Sequence, residues 1–299
     1  MPDKEKMSSR ELGLLLAQQI LHVDDLHYGL WEPDLQLSLG NIALAQQRYT
    51  EMILQQIDAL LTDRPAPRIL DVGCGTGHMV QLMIERGYGV DAVNPSAQLN
   101  QQVRARLGAM PHTDCLLYET DFESLPLAAC RQRYDLLLFS ESFQYIPLTE
   151  IFAKSPMLLK PGGQLLICDF FKTDAHGDGA EGDRSFSGGH LLRLFYQGLS
   201  AAPFTLLYDE DITPRISPNI ALLDEWLLQR LLPATRSIDT FLRGRYPRLM
   251  RLIKWLARHK LERLRYKYLS GHRSQAIFEK YKSYRLLVLQ LDSWKSTVR

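Results

Sequence analysis

The sequence contains no apolar run approaching the ~18–20 residues a membrane-spanning helix requires. Cysteine is scarce. Cys74, Cys115, Cys130 and Cys168 are the only four in 299 residues, with neither the paired spacing of a zinc site nor the density of a disulfide framework. Residues 1–10 are charged, and Leu14-Leu15-Leu16 is too short for the apolar stretch of a secretion signal. These absences lead to the expectation of a cytoplasmic protein with reduced thiols. No calcium loop is present either. Asp174, His176, Asp178 and Asp183 crowd together without its spacing, so no metal is expected. Overall charge is nearly balanced at +1, with 45% hydrophobic and 23% charged residues. That composition suits one large globular domain, or one domain with a substantial insertion.

What the sequence does have is concentrated in Ile69-Leu70-Asp71-Val72-Gly73-Cys74-Gly75-Thr76-Gly77. An apolar run broken by an acid and ending in alternate glycines reads as a buried parallel strand turning into a helix near His78. The glycines permit positive φ and let a ligand lie against bare backbone. A dinucleotide fingerprint would be Gly-x-Gly-x-x-Gly. Here the spacing is Gly-x-Gly-x-Gly with Asp71 two residues ahead, and an acid beside the loop suits a cation better than a phosphate. Another nucleotide, or a purely structural turn, stays open on these residues alone. The stretch resembles the first motif of the class I S-adenosylmethionine (SAM)-dependent methyltransferases. That resemblance implies that Asp71 lies near the methionine amino end and that Gly73, Cys74, Gly75 and Gly77 pass under the ligand.

The chain on either side fits the same layout. Helical spacing is expected over 8–22 and 41–61, with an aromatic, turn-rich segment between them. That segment holds His27-Tyr28-Gly29, Trp31 and Pro33-Asp34, and it reads either as an anchor to the core or as a lid over the ligand. A tyrosine at a lid offers its hydroxyl to a carboxylate and its ring to a sulfonium. The stretch resembles, approximately, one in tocopherol-type and sterol-type methyltransferases, and Tyr28 is a candidate cofactor contact.

A helix over 78–86 leads to a second strand over 88–96. In the family this strand ends in an acid on the ribose hydroxyls. Two registers fit here, Asp91 or Asn94, and Asn94 is preferred because Pro95 and Gln98 then follow as the family's helix start does. A third strand over 115–122 ends in Asp121 and Phe122, the pair that meets adenine in the resembling families; a turn cap is the alternative. The apolar run 134–140 reads as a central strand buried on both faces. It opens into Ser140, Glu141 and Ser142, then Gln144, Tyr145 and Pro147, where tocopherol-type enzymes have Glu-Ser-x-Glu-His-x-Pro. Strand five follows Pro161-Gly162-Gly163, a polar loop expected to be mobile covers 174–189, strand six is placed at 204–208 and strand seven at 284–291.

The expected fold is α/β: a Rossmann-like, seven-stranded, mostly parallel sheet with an N-terminal helical lid and a helical insertion between strands six and seven. The segments are 1–62 (lid), 63–213 (SAM-binding core), 214–283 (basic insertion capping the substrate) and 284–299 (last strand and C-terminus). The insertion is unusual in charge. Between 242 and 273, eleven arginines and lysines stand against one acid, Glu262, a net +10 that leaves −9 for the remainder. Leu249, Ile253, Leu256, Leu261, Leu264 and Tyr268 form an apolar stripe within it. A solvated helix covering the pocket, a helix on an anionic membrane surface, and a nucleic-acid contact all fit. Tyr246, Tyr266 and Tyr268 make no recurring stacking motif, which argues against nucleic acid.

The resemblance implies SAM as cofactor and methyl transfer to a small lipophilic acceptor that is lipid-, isoprenoid- or quinone-like. The alternatives are a nucleic-acid methyltransferase and a SAM-binding protein without transfer. Candidate catalytic groups at the strand ends and lid are Glu141, Tyr145, Tyr28 and His27, with Ser140 and Glu141 also facing the cofactor.

Overall fold

A computed structural model describes residues 27–110, 114–225, 232–248, 250–251, 255, 258–259 and 272–292. A 3-10 turn, Leu39–Asn41, precedes α1 (Ile42–Leu61). Then come β1 (Arg68–Val72), α2 (His78–Glu85), β2 (Gly89–Val93), α3 (Ala97–Gly108), β3 (Leu117–Tyr118) and α4 (Leu127–Cys130). β4 (Tyr134–Ser140) runs into a second 3-10 turn, Phe143–Tyr145, followed by α5 (Leu148–Leu158), β5 (Leu159–Lys172) and α6 (Leu192–Ala201). The chain continues with β6 (Phe204–Asp211), α7 (Thr213–Ile216), α8 (Pro218–Glu225), α9 (Leu232–Arg245), α10 (Gln275–Tyr281) and β7 (Lys282–Leu291).

The strands form one seven-stranded sheet in the order β3-β2-β1-β4-β5-β7-β6. β3, β2, β1, β4 and β5 pair in parallel, and β7 alone is reversed, antiparallel to both β5 and β6. The two-residue period of the strands sorts their side chains into two cores. Leu70, Leu137, Leu165 and Leu289 meet Phe143, Phe195 and Leu199 on one face. Ile69, Leu136, Leu166 and Val288 meet Tyr49, Ile53 and Val80 on the other. α1 is helical because Ile42, Ala45, Tyr49, Ile53, Ile57 and Leu61 recur at three- to four-residue spacing and bury one stripe.

Several boundaries depart from expectation for visible reasons. β3 keeps only two residues because the acids after it turn to local partners. Glu119 accepts from Asn100 and Arg104, and Asp121 accepts from the Ser124 N–H. β5 starts early, at Leu159, and takes Pro161–Gly163 in as an irregularity, with Gly162 at φ +69. β6 runs on to Asp211, since Asp209 and Asp211 pair with Arg285 of β7. The polar loop 174–189, expected to be mobile, is anchored: Phe186 is buried 5.1 Å from the Phe278 ring, and Asp183 accepts from the Gly177 N–H.

The described helices of the insertion, α7 to α10, lie between β6 and β7. The expected helix over 8–22 and the stripe from Leu249 to Tyr268 lie outside the described residues. Among the described residues no helix is long and apolar enough to cross a membrane.

Candidate active site

The carboxyl ends of β1 and β4 open side by side, where parallel sheets receive ligands. After β1 the backbone enters the left-handed region at Gly73 (φ +82), Gly75 (φ +56) and Gly77 (φ +80). A Cβ on Gly73 would also lie 2.5 Å from that of Ser142, and one on Gly77 about 3.1 Å from the Val103 side chain. Glycine is therefore demanded twice, by conformation and by space.

Asp71 is 3% exposed, and its Oδ2 has no hydrogen-bond partner. Burial pushes its carboxyl up to about 7. Ser142 Oγ, against the same loop, is likewise buried and unpartnered. An orphaned buried acid is expensive unless something cationic meets it. Those two atoms and the bare glycine loop fit a ligand with an ammonium group, as the SAM reading requires.

At the end of β2, Asn94 is buried and donates through Nδ2 to the Gly75 carbonyl at 3.1 Å, which ties the strand end to the glycine loop. Pro95 is exposed beside it, and Gln98 is half-buried in the first turn of α3. Asp91, the alternative to Asn94, is engaged by the chain itself. On the opposite sheet face from Asp71, its buried carboxylate accepts from Arg68 (2.6 and 3.0 Å), Arg133 (3.0 Å), the Tyr134 hydroxyl (2.9 Å) and the Leu116 N–H (3.0 Å). Asp121 is exposed and caps a turn. The Phe122 ring is buried 5.7 Å from that of Phe139, so its side chain belongs to the core.

Glu141 follows β4 in the left-handed region, at φ +54, a conformation costly for a residue with a Cβ. Its N–H donates to the Cys168 carbonyl, and its Oε1 accepts from the Tyr28 N–H and the Tyr284 hydroxyl, each at 2.8 Å. The Tyr284 and Tyr49 hydroxyls are 3.1 Å apart, and Tyr49 is 3.1 Å from Ser140 Oγ. The segment at Tyr28 is thus tied to the end of β4 through one carboxylate. The Tyr28 ring meets Tyr284 and Phe278 edge-on at 6.3 and 6.4 Å. Burial, and then the charge of Glu141, raise its phenol well above the ordinary range. Tyr145, on the second 3-10 turn, is exposed.

The His27 ring stacks on Tyr49 at 4.3 Å, with Nδ1 on the Tyr28 carbonyl and Nε2 on Thr50 Oγ1, contacts that tie this segment to α1.

The structure adds residues that sequence reasoning missed. Asp169 of β5 is fully buried and accepts from Gln144 N–H (3.0 Å), Gln144 Nε2 (3.1 Å) and Phe170 N–H (2.7 Å). Burial, with Glu141 adding, pushes it up to about 8 against the pull of those donors. Lys282 is buried, donates to the Gly188 carbonyl at 2.6 Å and lies 4.8 Å over the Phe170 ring. Burial and the charge of Lys172 push it down to about 7. Asp169 interrupts the apolar run of β5 as Asp71 interrupts that of β1, and the same rule could have found it; Lys282 carried no signal. Glu141 adjoins a group of rings, Tyr28, Phe170, Phe278 and Tyr284, with Asp169 on the neighbouring β5. Carboxylates beside rings can accept a proton from a bound apolar molecule and hold water off it.

Residues 69–163 match the family model of a methyltransferase domain. An uncharacterized methyltransferase of Mycobacterium tuberculosis is 30% identical over 132 residues, 44% of this chain and 51% of that protein. A geranyl diphosphate 2-C-methyltransferase of Saccharopolyspora erythraea is 28% identical over 166 residues, 50% of this chain and 56% of its own. The chain thus spans about half the length of the relatives it matches. In fold it is similar to the crystal structure of geranyl diphosphate C-methyltransferase from Streptomyces coelicolor, solved with Mg2+, geranyl-S-thiolodiphosphate and S-adenosyl-L-homocysteine. The TM-score is 0.63 at 16% identity, over 93% of this chain and 91% of that one. The glycine turn and the sheet order accompany this match, so residues 69–163 are similar to a methyltransferase domain set in a fold shared with solved methyltransferases.

Proposed function

We propose that the protein transfers a methyl group from SAM to a small lipophilic acceptor bound between the lid segment and the insertion. One observation carries the reading: a buried acid without a partner, Asp71, stands at the head of three positive-φ glycines. Asp71 would hold the ammonium, Gly73 to Gly77 with Cys74 the adjoining backbone, Asn94, Pro95 and Gln98 the ribose, and Asp121 with the Phe122 backbone the adenine. Ser140, Glu141 and Tyr28 close the site from β4 and the lid. When bound, SAM supplies an electrophilic methyl carbon. The chain must align the acceptor and keep water away. Glu141, fixed by Tyr28 N–H and Tyr284, takes up the proton the acceptor gives up, and Tyr145 and Tyr28 orient the acceptor beside it. The group of rings, and the name of the Saccharopolyspora relative, favour an isoprenoid-like acceptor.

The test joins calorimetry to isotope transfer. Wild type should bind SAM, and Asp71→Asn should bind it about 100-fold more weakly. Methyl-labelled SAM with an extract of the source organism should place label in the organic-soluble fraction. Label in RNA would overturn the acceptor class. SAM binding with no label in any fraction would mark a binder without transfer.

A further inference from the structure

α9 and the helical residues beyond it carry large apolar side chains in water. Ile238 is 58% exposed, Phe241 70%, Tyr246 50% and Trp255 63%. Single exposed apolar residues are ordinary, but a cluster on one element marks a surface that something covers. The Tyr246 N–H donates to the Leu242 carbonyl and the Met250 N–H to the Tyr246 carbonyl, so helical pairing continues past Pro247. On helical spacing Ile238, Phe241, Arg245 and Arg248 follow one another at steps of three and four along one stripe, and Trp255 lies seven residues further on. Arg243, Arg251 and Arg258 are exposed close by. Ile238, Phe241 and Arg245 therefore share one face of α9, and Arg248 and Trp255 are exposed beyond it.

We infer that this face docks on an anionic lipid surface. The segment's +10 against −9 elsewhere makes it the part of the chain that such a surface attracts. Ile238, Phe241 and Trp255 supply the apolar depth, while arginines on flexible stems reach the headgroups. A second copy is a poor occupant, because symmetric pairing would set two +10 segments against each other. Nucleic acid would use the arginines and stack on the rings but leave Ile238 uncovered. The insertion also contributes Phe278 of α10 to that group of rings, so docking would bring the proposed acceptor pocket next to a lipid phase. The docking claim itself stands whether or not methyl is transferred.

The experiment is cosedimentation of the full chain with phosphatidylcholine vesicles, with and without an equal part of phosphatidylglycerol. Binding to the anionic vesicles and not to the neutral ones is expected, weakening as salt rises. Phe241→Ser with Trp255→Ser should weaken it by about tenfold or more. Arg245→Glu with Arg248→Glu should abolish it. SAM binding, followed by calorimetry, should be unchanged in both variants, which confirms their fold and keeps this test apart from that of the methyl-transfer reading. Equal binding to both vesicle types, binding to neither, or indifference to charge reversal would overturn the inference. So would self-association lost on Phe241→Ser, or tight RNA binding without vesicle binding.

Discussion

Two regions at β1 and β2 use the same residue type in opposite ways. Asp91 faces one side of the sheet and takes hydrogen bonds from two guanidiniums, a phenol and a backbone N–H. Asp71, one strand away and on the other side, is equally removed from water and has an oxygen with no partner at all. Burial costs both carboxylates their hydration. At Asp91 the protein itself offsets that cost, and the product is a rigid bracket joining β1, β2 and β4. At Asp71 the cost is left standing, and under the proposed function a cation from outside would offset it. Sequence position alone ranks the two alike; their partners separate them.

The sharpest way to break the comparison is to remove each acid in turn. Asp91→Ala leaves Arg68 and Arg133 without their shared buried partner. A stability loss of about 3–5 kcal/mol is expected in denaturant unfolding. A loss below about 1 kcal/mol would show that the bracket holds little. Asp71→Asn should do the reverse: the fold keeps or gains stability, because a neutral amide replaces a carboxylate that burial disfavours. SAM affinity should fall about 100-fold, the scale of a lost hydrogen-bonded charge contact. Equal SAM affinity in wild type and this variant would sink the site assignment.

The same contrast explains what was legible beforehand. Sheet, glycine turn and strand ends could be read because each rests on local pattern: apolar runs, positive-φ glycines and an acid where a strand stops. The ribose register could not be decided from pattern, since Asp91 and Asn94 both sit near the end of one strand. Only Arg68, Arg133 and Tyr134, as many as 43 residues away in sequence, committed Asp91 elsewhere. The contact of His27 with Thr50, 23 residues away, was equally out of reach of pattern. Tyr284 and Tyr49 are buried on a strand and a helix. That Tyr284 holds Glu141 and Tyr49 reaches Ser140 Oγ follows from contacts across 143 and 91 residues. Lys282 was invisible because a lysine opening a strand is ordinarily solvated.

Acidity should then separate the two regions in solution. Burial holds the Asp71 carboxyl near 7, far above the ordinary 3.8. Without ligand it is mostly protonated at pH 6 and mostly ionised at pH 8, whereas an ammonium in contact with it favours the ionised form throughout. SAM affinity should therefore be about tenfold lower at pH 6 than at pH 8. Binding near pH 6 should release a proton, visible as a dependence of the calorimetric enthalpy on the buffer's ionisation enthalpy. For the free protein the sign is opposite. Asp71 and Asp169 (the latter pushed to about 8) keep their protons to higher pH folded than unfolded, so their contribution to stability is complete below about pH 4 and lost as pH rises through 7 to 8. An affinity flat from pH 6 to 8 would mean that Asp71 is ionised before SAM arrives.

The smallest effect tests whether Glu141 resembles the bracket or the receptor. Its Oε1 already has two donors from within the chain, Tyr28 N–H and Tyr284 Oη. Tyr284→Phe removes one of them and leaves the Tyr49 hydroxyl its contact with Ser140 Oγ at 3.1 Å. Since the lost bond goes to a charged acceptor but leaves little new unpaired polarity, a stability loss of about 1–1.5 kcal/mol is expected. If Tyr284 only braces the fold, methyl transfer at saturating substrate should be unchanged. If it positions Glu141 as the proton acceptor, kcat should drop several-fold while SAM affinity stays the same. A kcat loss in Tyr284→Phe without any change in SAM binding would place Glu141 with Asp71, as a carboxylate kept for a ligand.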